Sequence, residues 1–119
     1  MILIIDDDSA VRSSLSFMLK RAGYEAQTVS GPREAMEVVR SVAPDLILMD
    51  VRMPGLDGLS AAGIIRELNP TVPIIATTAF AFETDREMAL AAGCNGYMSK
   101  PLEAEKLKTM VERYLENKL

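Results

Sequence analysis

Two of the apolar runs in this chain end on acids, and those ends hold the residue types most able to do chemistry. "ILII" (2–5) runs straight into Asp6, Asp7 and Asp8, and "LILMD" ends on Asp50. Adjacent carboxylates at the end of a buried strand repel one another unless a cation lies among them. Further along, "IIATTA" closes on Thr77, Thr78 and Ala79, and "GYMSKP" on Ser99, Lys100 and Pro101. If Asp6, Asp7 and Asp50 share a pocket with Lys100, the ionised site holds three negative charges and one positive. A divalent cation brings that sum to zero. Hard oxygen ligands without imidazole suit Mg2+ (or Mn2+) with retained waters, rather than zinc or copper. Sites of this kind are usually completed by a phosphate, whose oxygens the Thr78 hydroxyl and Lys100 ammonium are equipped to hold.

Elements of two periods alternate along the chain and must bring these residues together. After "ILII", the residues Val11, Leu15, Met18, Leu19 and Ala22 recur at helical spacing and stop at Gly23. "YEAQTV" is a weaker, alternating strand, and "SGP" (30–32) opens a helix with Ala35, Val38, Val39 and Val42 on one face. "DLILMD" (45–50) is a strand, "VRMPGLDG" a loop and "LSAAGIIREL" a third helix. "VPIIATTA" (72–79), "ETDREMALAAG" and "NGYMSK" read as strand, helix and short strand. Pro101 then begins a last helix with Leu107, Met110, Val111, Tyr114 and Leu115 on one face. Strict alternation of this kind implies an α/β fold whose parallel sheet is covered on both faces. The polar second strand suits an edge, and right-handed crossovers favour a doubly wound, flavodoxin-like sheet of order 2-1-3-4-5 with five helices. Ligands of such sheets bind outside the carboxyl ends of the strands, where all the residues above converge.

Composition narrows the field. The 119 residues fit one domain, and a formal charge of -4 without a Lys/Arg cluster argues against a direct nucleic-acid surface. There is no histidine, and Cys94 is alone, which removes His-based catalysis, the usual zinc sites and any internal disulfide. Cys94 reads as a small core-edge residue, consistent with a reducing cytoplasm. The apolar runs are strand-sized, and the start lacks the features of a signal peptide, so membrane insertion is not expected. Taken singly, the polar residues have ordinary explanations. Asp8 or Ser9 suits a helix N-cap, Asp57 a turn, and Lys100-Pro101 the lead-in to a helix. The coincidence at four strand ends is what those explanations fail to cover.

With "IIDDD", "LILMDVRMPGLDG", "TTA" and "GYMSKP" in this order and spacing, the chain resembles the receiver domain of two-component response regulators, of the chemotaxis-receiver-like kind, over essentially all of 1–119. The resemblance implies a phosphoacceptor signalling switch rather than an enzyme with its own substrate. It makes Asp50 the acceptor, Asp6 and Asp7 the acidic pair, and Arg52 the donor of a backbone carbonyl to the metal. It makes Thr78 the switch hydroxyl, Lys100 the phosphate-pairing lysine and Tyr97 the aromatic switch position, with Pro101 preceded by a cis peptide. Arg52 and Phe80 occupy the two positions that would govern the rate of phosphate loss: Phe80 offers a bulky ring and no acceptor for water, and Arg52 a charge contact to the phosphoryl oxygens, so self-dephosphorylation is expected to be slow. The implied partners are a sensor histidine kinase or phosphotransfer protein, with the last helices available to a homodimer or an effector domain.

Two rival readings are open at this level. A haloacid-dehalogenase-like, Mg2+-dependent phosphohydrolase would use Asp6 as nucleophile in an Asp6-x-Asp8 pair, but no second acidic pair follows the lysine and Asp50 has no role in it. A flavodoxin-type cofactor module shares the fold class but lacks a phosphate-cradling loop after the first strand.

Overall fold

The computed structural model describes residues 1–51, 58–79 and 83–116, and their side chains except those of 58, 59 and 83–85. The strands are β1 (Ile2–Ile5), β2 (Ala26–Val29), β3 (Leu46–Asp50), β4 (Ile74–Thr78) and β5 (Gly96–Ser99). The helices are α1 (Ser9–Arg21), α2 (Pro32–Ser41), α3 (Gly58–Leu68), α4 (Glu83–Ala91) and α5 (Ala104–Glu116). All strand pairs are parallel, in the order β2-β1-β3-β4-β5. The expected topology is therefore the observed one, with the polar β2 at an edge.

The continuous apolar strands are buried on both faces because two helix layers flank them. Ile2, Ile4, Leu46, Leu48, Ile75 and Met98 pack with Leu15 and Leu19 of α1 and Leu107 and Val111 of α5. The alternate residues Leu3, Ile5, Ile47, Met49, Ile74 and Ala76 pack with Ala35 and Val39 of α2, Ala61, Ala62 and Ile65 of α3, and Ala89 of α4. The period of two along each strand thus sorts every residue at the strand ends to one layer or the other.

Two sequence expectations need correction. Helical spacing puts Val42 on the apolar face of α2, but the helix ends at Ser41 and Val42 is 51% exposed. The last helix begins at Ala104 rather than Pro101. The Lys100–Pro101 peptide is cis, as the resemblance implied, and Leu102 is buried against the α1/α5 layer before the helix starts.

Arg66 of α3 ties together the end of the sheet remote from the aspartates. Its guanidinium donates to the carbonyls of Val72 (2.6 Å), Gly93 (2.8 Å) and Asn69 (3.3 Å) and to Asn95 Oδ1 (2.9 Å). Asn95 Oδ1 also accepts from the Ile74 N–H, and the Asn95 carbonyl accepts from the Tyr114 hydroxyl. Turns that periodicity shows only as gaps are thereby fixed to α3 and α5, which holds β4 and β5 in register. Gly93, at φ +110°, supplies the backbone conformation that this turn requires.

Candidate functional site

The site is built where β1 and β3 end side by side. The β1 ladder runs on past Ile5, because the Asp6 N–H donates to the Val29 carbonyl, and this carries Asp6 into the interior at 1% exposure. Both oxygens of its carboxylate accept a hydrogen bond: Oδ1 from the Asp8 N–H at 2.9 Å and Oδ2 from the Lys100 ammonium at 2.8 Å. Asp50, the last residue of β3, is also buried, and its Oδ2 lies 3.4 Å from the same ammonium. One lysine thus answers two buried carboxylates. Burial alone would pull the Lys100 pKa down. The hydrogen bond to Asp6 and the charges of Asp50 and Asp6 overcome that and leave it above its ordinary value.

Asp7 is exposed, yet carboxylate oxygens of Asp6, Asp7 and Asp50 all lie within 4.8 Å of one another. Such a cluster, hard in its ligands and still net negative beside one ammonium, fits a small divalent cation with water in its shell. Asp8 stands apart from it. Its Oδ1 accepts from the N–H groups of Ala10 (2.9 Å) and Val11 (3.4 Å), the N-cap role that the sequence suggested. That use leaves the phosphohydrolase reading without its second acid.

Thr78 ends β4 and is fully buried, and its carbonyl accepts from the Lys100 N–H at 2.6 Å. Tyr97 lies on β5, half-buried, and packs against the α2/α3/α4 layer rather than standing exposed at the rim. Alternation along β4 and β5 places Thr78 on that same side, so hydroxyl and aromatic ring share a layer while Asp6, Asp50 and Lys100 share the other. Arg52 and Phe80 lie outside the described residues, as does Asp57.

Sequence reasoning missed Arg12. Its guanidinium donates to the Asp6 carbonyl at 2.8 Å, fastening the β1–α1 turn from within α1. The spacing Asp6-x5-Arg12 could have suggested it, but a contact to a backbone carbonyl leaves no mark on side-chain patterning.

Cys94 is buried against the α2/α3/α4 layer, and burial pushes its thiol up to about 11, with the Arg66 charge offsetting only part of that. Its thiolate fraction at pH 8 is therefore on the order of one in a thousand. A chromogenic disulfide reagent at pH 8 should leave the native protein unmodified and titrate one thiol after urea unfolding. Rapid reaction of the native protein would contradict this placement.

Comparison with known proteins converges on one family. The model of the response regulator receiver domain matches residues 2–112. Response regulator MprA of Mycolicibacterium vanbaalenii is 39% identical over 106 residues, covering 89% of this chain and 46% of that protein. The alkaline phosphatase synthesis transcriptional regulatory protein PhoP of Bacillus subtilis is 33% identical over 114 residues, 96% of this chain and 48% of its own length. The chain spans about half of each of these relatives. A two-component response regulator from Clostridium difficile superposes with a TM-score of 0.92 at 30% identity, covering 97% of this chain and 94% of that one. The chain belongs to the response regulator receiver domain family, the phosphoacceptor switches of two-component signalling, and it shares their flavodoxin-like fold.

Proposed function

We infer that Asp50 is the residue that accepts the phosphoryl group, from a phosphohistidine of a sensor kinase or phosphotransfer protein. The observation that carries this reading is the single Lys100 ammonium set between the buried Asp6 and Asp50 carboxylates at the switch point of the sheet. Asp6, the other acid of the pair, is tied into the β1–α1 turn by the Asp8 N–H as well as by Lys100.

In the transfer, an Asp50 carboxylate oxygen forms the O–P bond as the N–P bond of the phosphohistidine breaks, and the imidazole leaves with the electron pair. Mg2+ held by Asp6, Asp7 and Asp50 would neutralise charge on the acids and on the phosphoryl oxygens. Lys100 balances the charge spread over the equatorial oxygens. The acyl phosphate is then a new dianionic group for the Thr78 hydroxyl to bond. Movement of Thr78 within its layer opens space beside Tyr97 and alters the face made by β5, α4 and α5. That is a two-state switch biased by local charge, and the face it changes is where a second copy or an effector domain would read it. Among the described residues no helix is long and apolar enough to cross a membrane.

The test is intact-mass analysis after incubation with a small phosphodonor and Mg2+. Wild type should gain one phosphoryl group and Asp50→Asn none. Equal modification of the two proteins would sink the assignment.

A further inference from the structure

Thr77 lies one strand over from the acceptor. Asp50 and Thr77 are register partners in the β3–β4 ladder, and such partners project to the same face of a parallel sheet. Alternation along β4 agrees: Ile75 packs in the α1/α5 layer, and Ile74 and Ala76 in the other. Thr77 therefore shares the side on which Lys100 meets Asp50, and Thr78 the opposite one. Thr77 is 1% exposed, yet its hydroxyl makes no hydrogen bond among the described residues. A buried hydroxyl without a partner destabilises the folded state, and valine would fill the same volume without that cost.

Lys100 carries the complementary deficit. An ammonium has three N–H donors. One goes to Asp6 Oδ2 at 2.8 Å, and Asp50 Oδ2 lies 3.4 Å away, which leaves a third without a partner among the described residues. Because the strand order is β1-β3-β4-β5, a side chain that starts after β5 and ends at Asp6 passes the end of β4 on the face that Thr77, its penultimate residue, shares. A dianionic phosphoryl group on Asp50 draws the ammonium from β1 back toward β3, and so toward β4.

We propose that Thr77 is a positioning residue for Lys100: its hydroxyl accepts the third ammonium N–H while Asp50 receives or carries a phosphoryl group, and so keeps the charge over the acceptor instead of over Asp6. This rests on Asp50 being the acceptor.

The experiment compares wild type, Thr77→Val and Thr77→Ser. It reads the rate of phosphorylation by acetyl phosphate at saturating Mg2+, the Tm without donor, and Mg2+ affinity by calorimetry. Thr77→Val should melt roughly 3–5 °C higher, since the unpartnered hydroxyl is gone. Its Mg2+ affinity should be unchanged, and its phosphorylation roughly threefold to tenfold slower. Thr77→Ser, which restores the hydroxyl, should recover the wild-type rate. Thr77→Val reacting as fast as wild type, or a slow rate that Thr77→Ser fails to recover, overturns the proposal. Wild type that takes no phosphoryl group at Asp50 overturns the acceptor reading itself, and the proposal with it.

Discussion

Replacing Lys100 by methionine is expected to destabilise the unphosphorylated protein by roughly 2–4 kcal/mol at neutral pH. It should also remove phosphoryl uptake. Asp6 carries the cost. Its side chain is 1% exposed, and Oδ2 has the Lys100 ammonium as its partner, so methionine leaves a buried carboxylate oxygen unanswered beside a second acid. For a chain of this size the loss corresponds to a drop of roughly 10 °C in Tm. Two further outcomes separate this cause from lost packing. Added Mg2+ should raise the Tm of Lys100→Met more than that of wild type, because a cation substitutes for the missing charge. In wild type the folded pKa of Lys100 lies above its unfolded value. Its contribution is therefore complete below the ordinary lysine pKa of 10.5 and is lost as pH rises through the folded value. Urea titrations at pH 7 with and without Mg2+ check the first point. A variant as stable as wild type would contradict the electrostatic account.

Asp7→Ala should show the opposite sign in the absence of metal. Asp7 is exposed and makes no hydrogen bond or ion pair among the described residues, but its oxygen lies within 4.8 Å of those of Asp6 and Asp50. Removing it sacrifices no described contact and relieves repulsion on the two buried acids that share one lysine. The Tm without Mg2+ should therefore rise. The affinity for Mg2+ should fall by at least roughly tenfold, because a hard cation loses one of three anionic ligands. Calorimetric titration and thermal melts of the same two proteins measure both effects. Unchanged Mg2+ affinity would remove Asp7 from the metal site.

Much of this was legible from the sequence because the relevant signals are strong and local. Strands buried on both faces must be apolar throughout, so "ILII", "LILMD" and "IIATTA" stand out from the helical spacing between them. Parallel strands in strict alternation then place their carboxyl ends together, which brings Asp6, Asp50, Thr78 and Lys100 to one end of the sheet. The illegible features depend on contacts distant in sequence or directed at the backbone. Arg66 and Arg12 act on carbonyls, which no side-chain pattern records. The late start of α5 is of this kind: Leu102 is buried against the α1/α5 layer before the helix begins at Ala104, a tertiary contact that helical spacing alone does not register. The register of Thr77 with Asp50, and the absence of a hydrogen-bond partner for its hydroxyl among the described residues, are likewise properties of the folded sheet.

The central claim is that the phosphoryl group resides on Asp50. Reducing the phosphorylated wild-type protein with borohydride, which converts an acyl phosphate to an alcohol, and sequencing its peptides by mass spectrometry locates that residue. The account predicts conversion at Asp50 alone. Conversion at Asp6, with Asp50 intact, would contradict it.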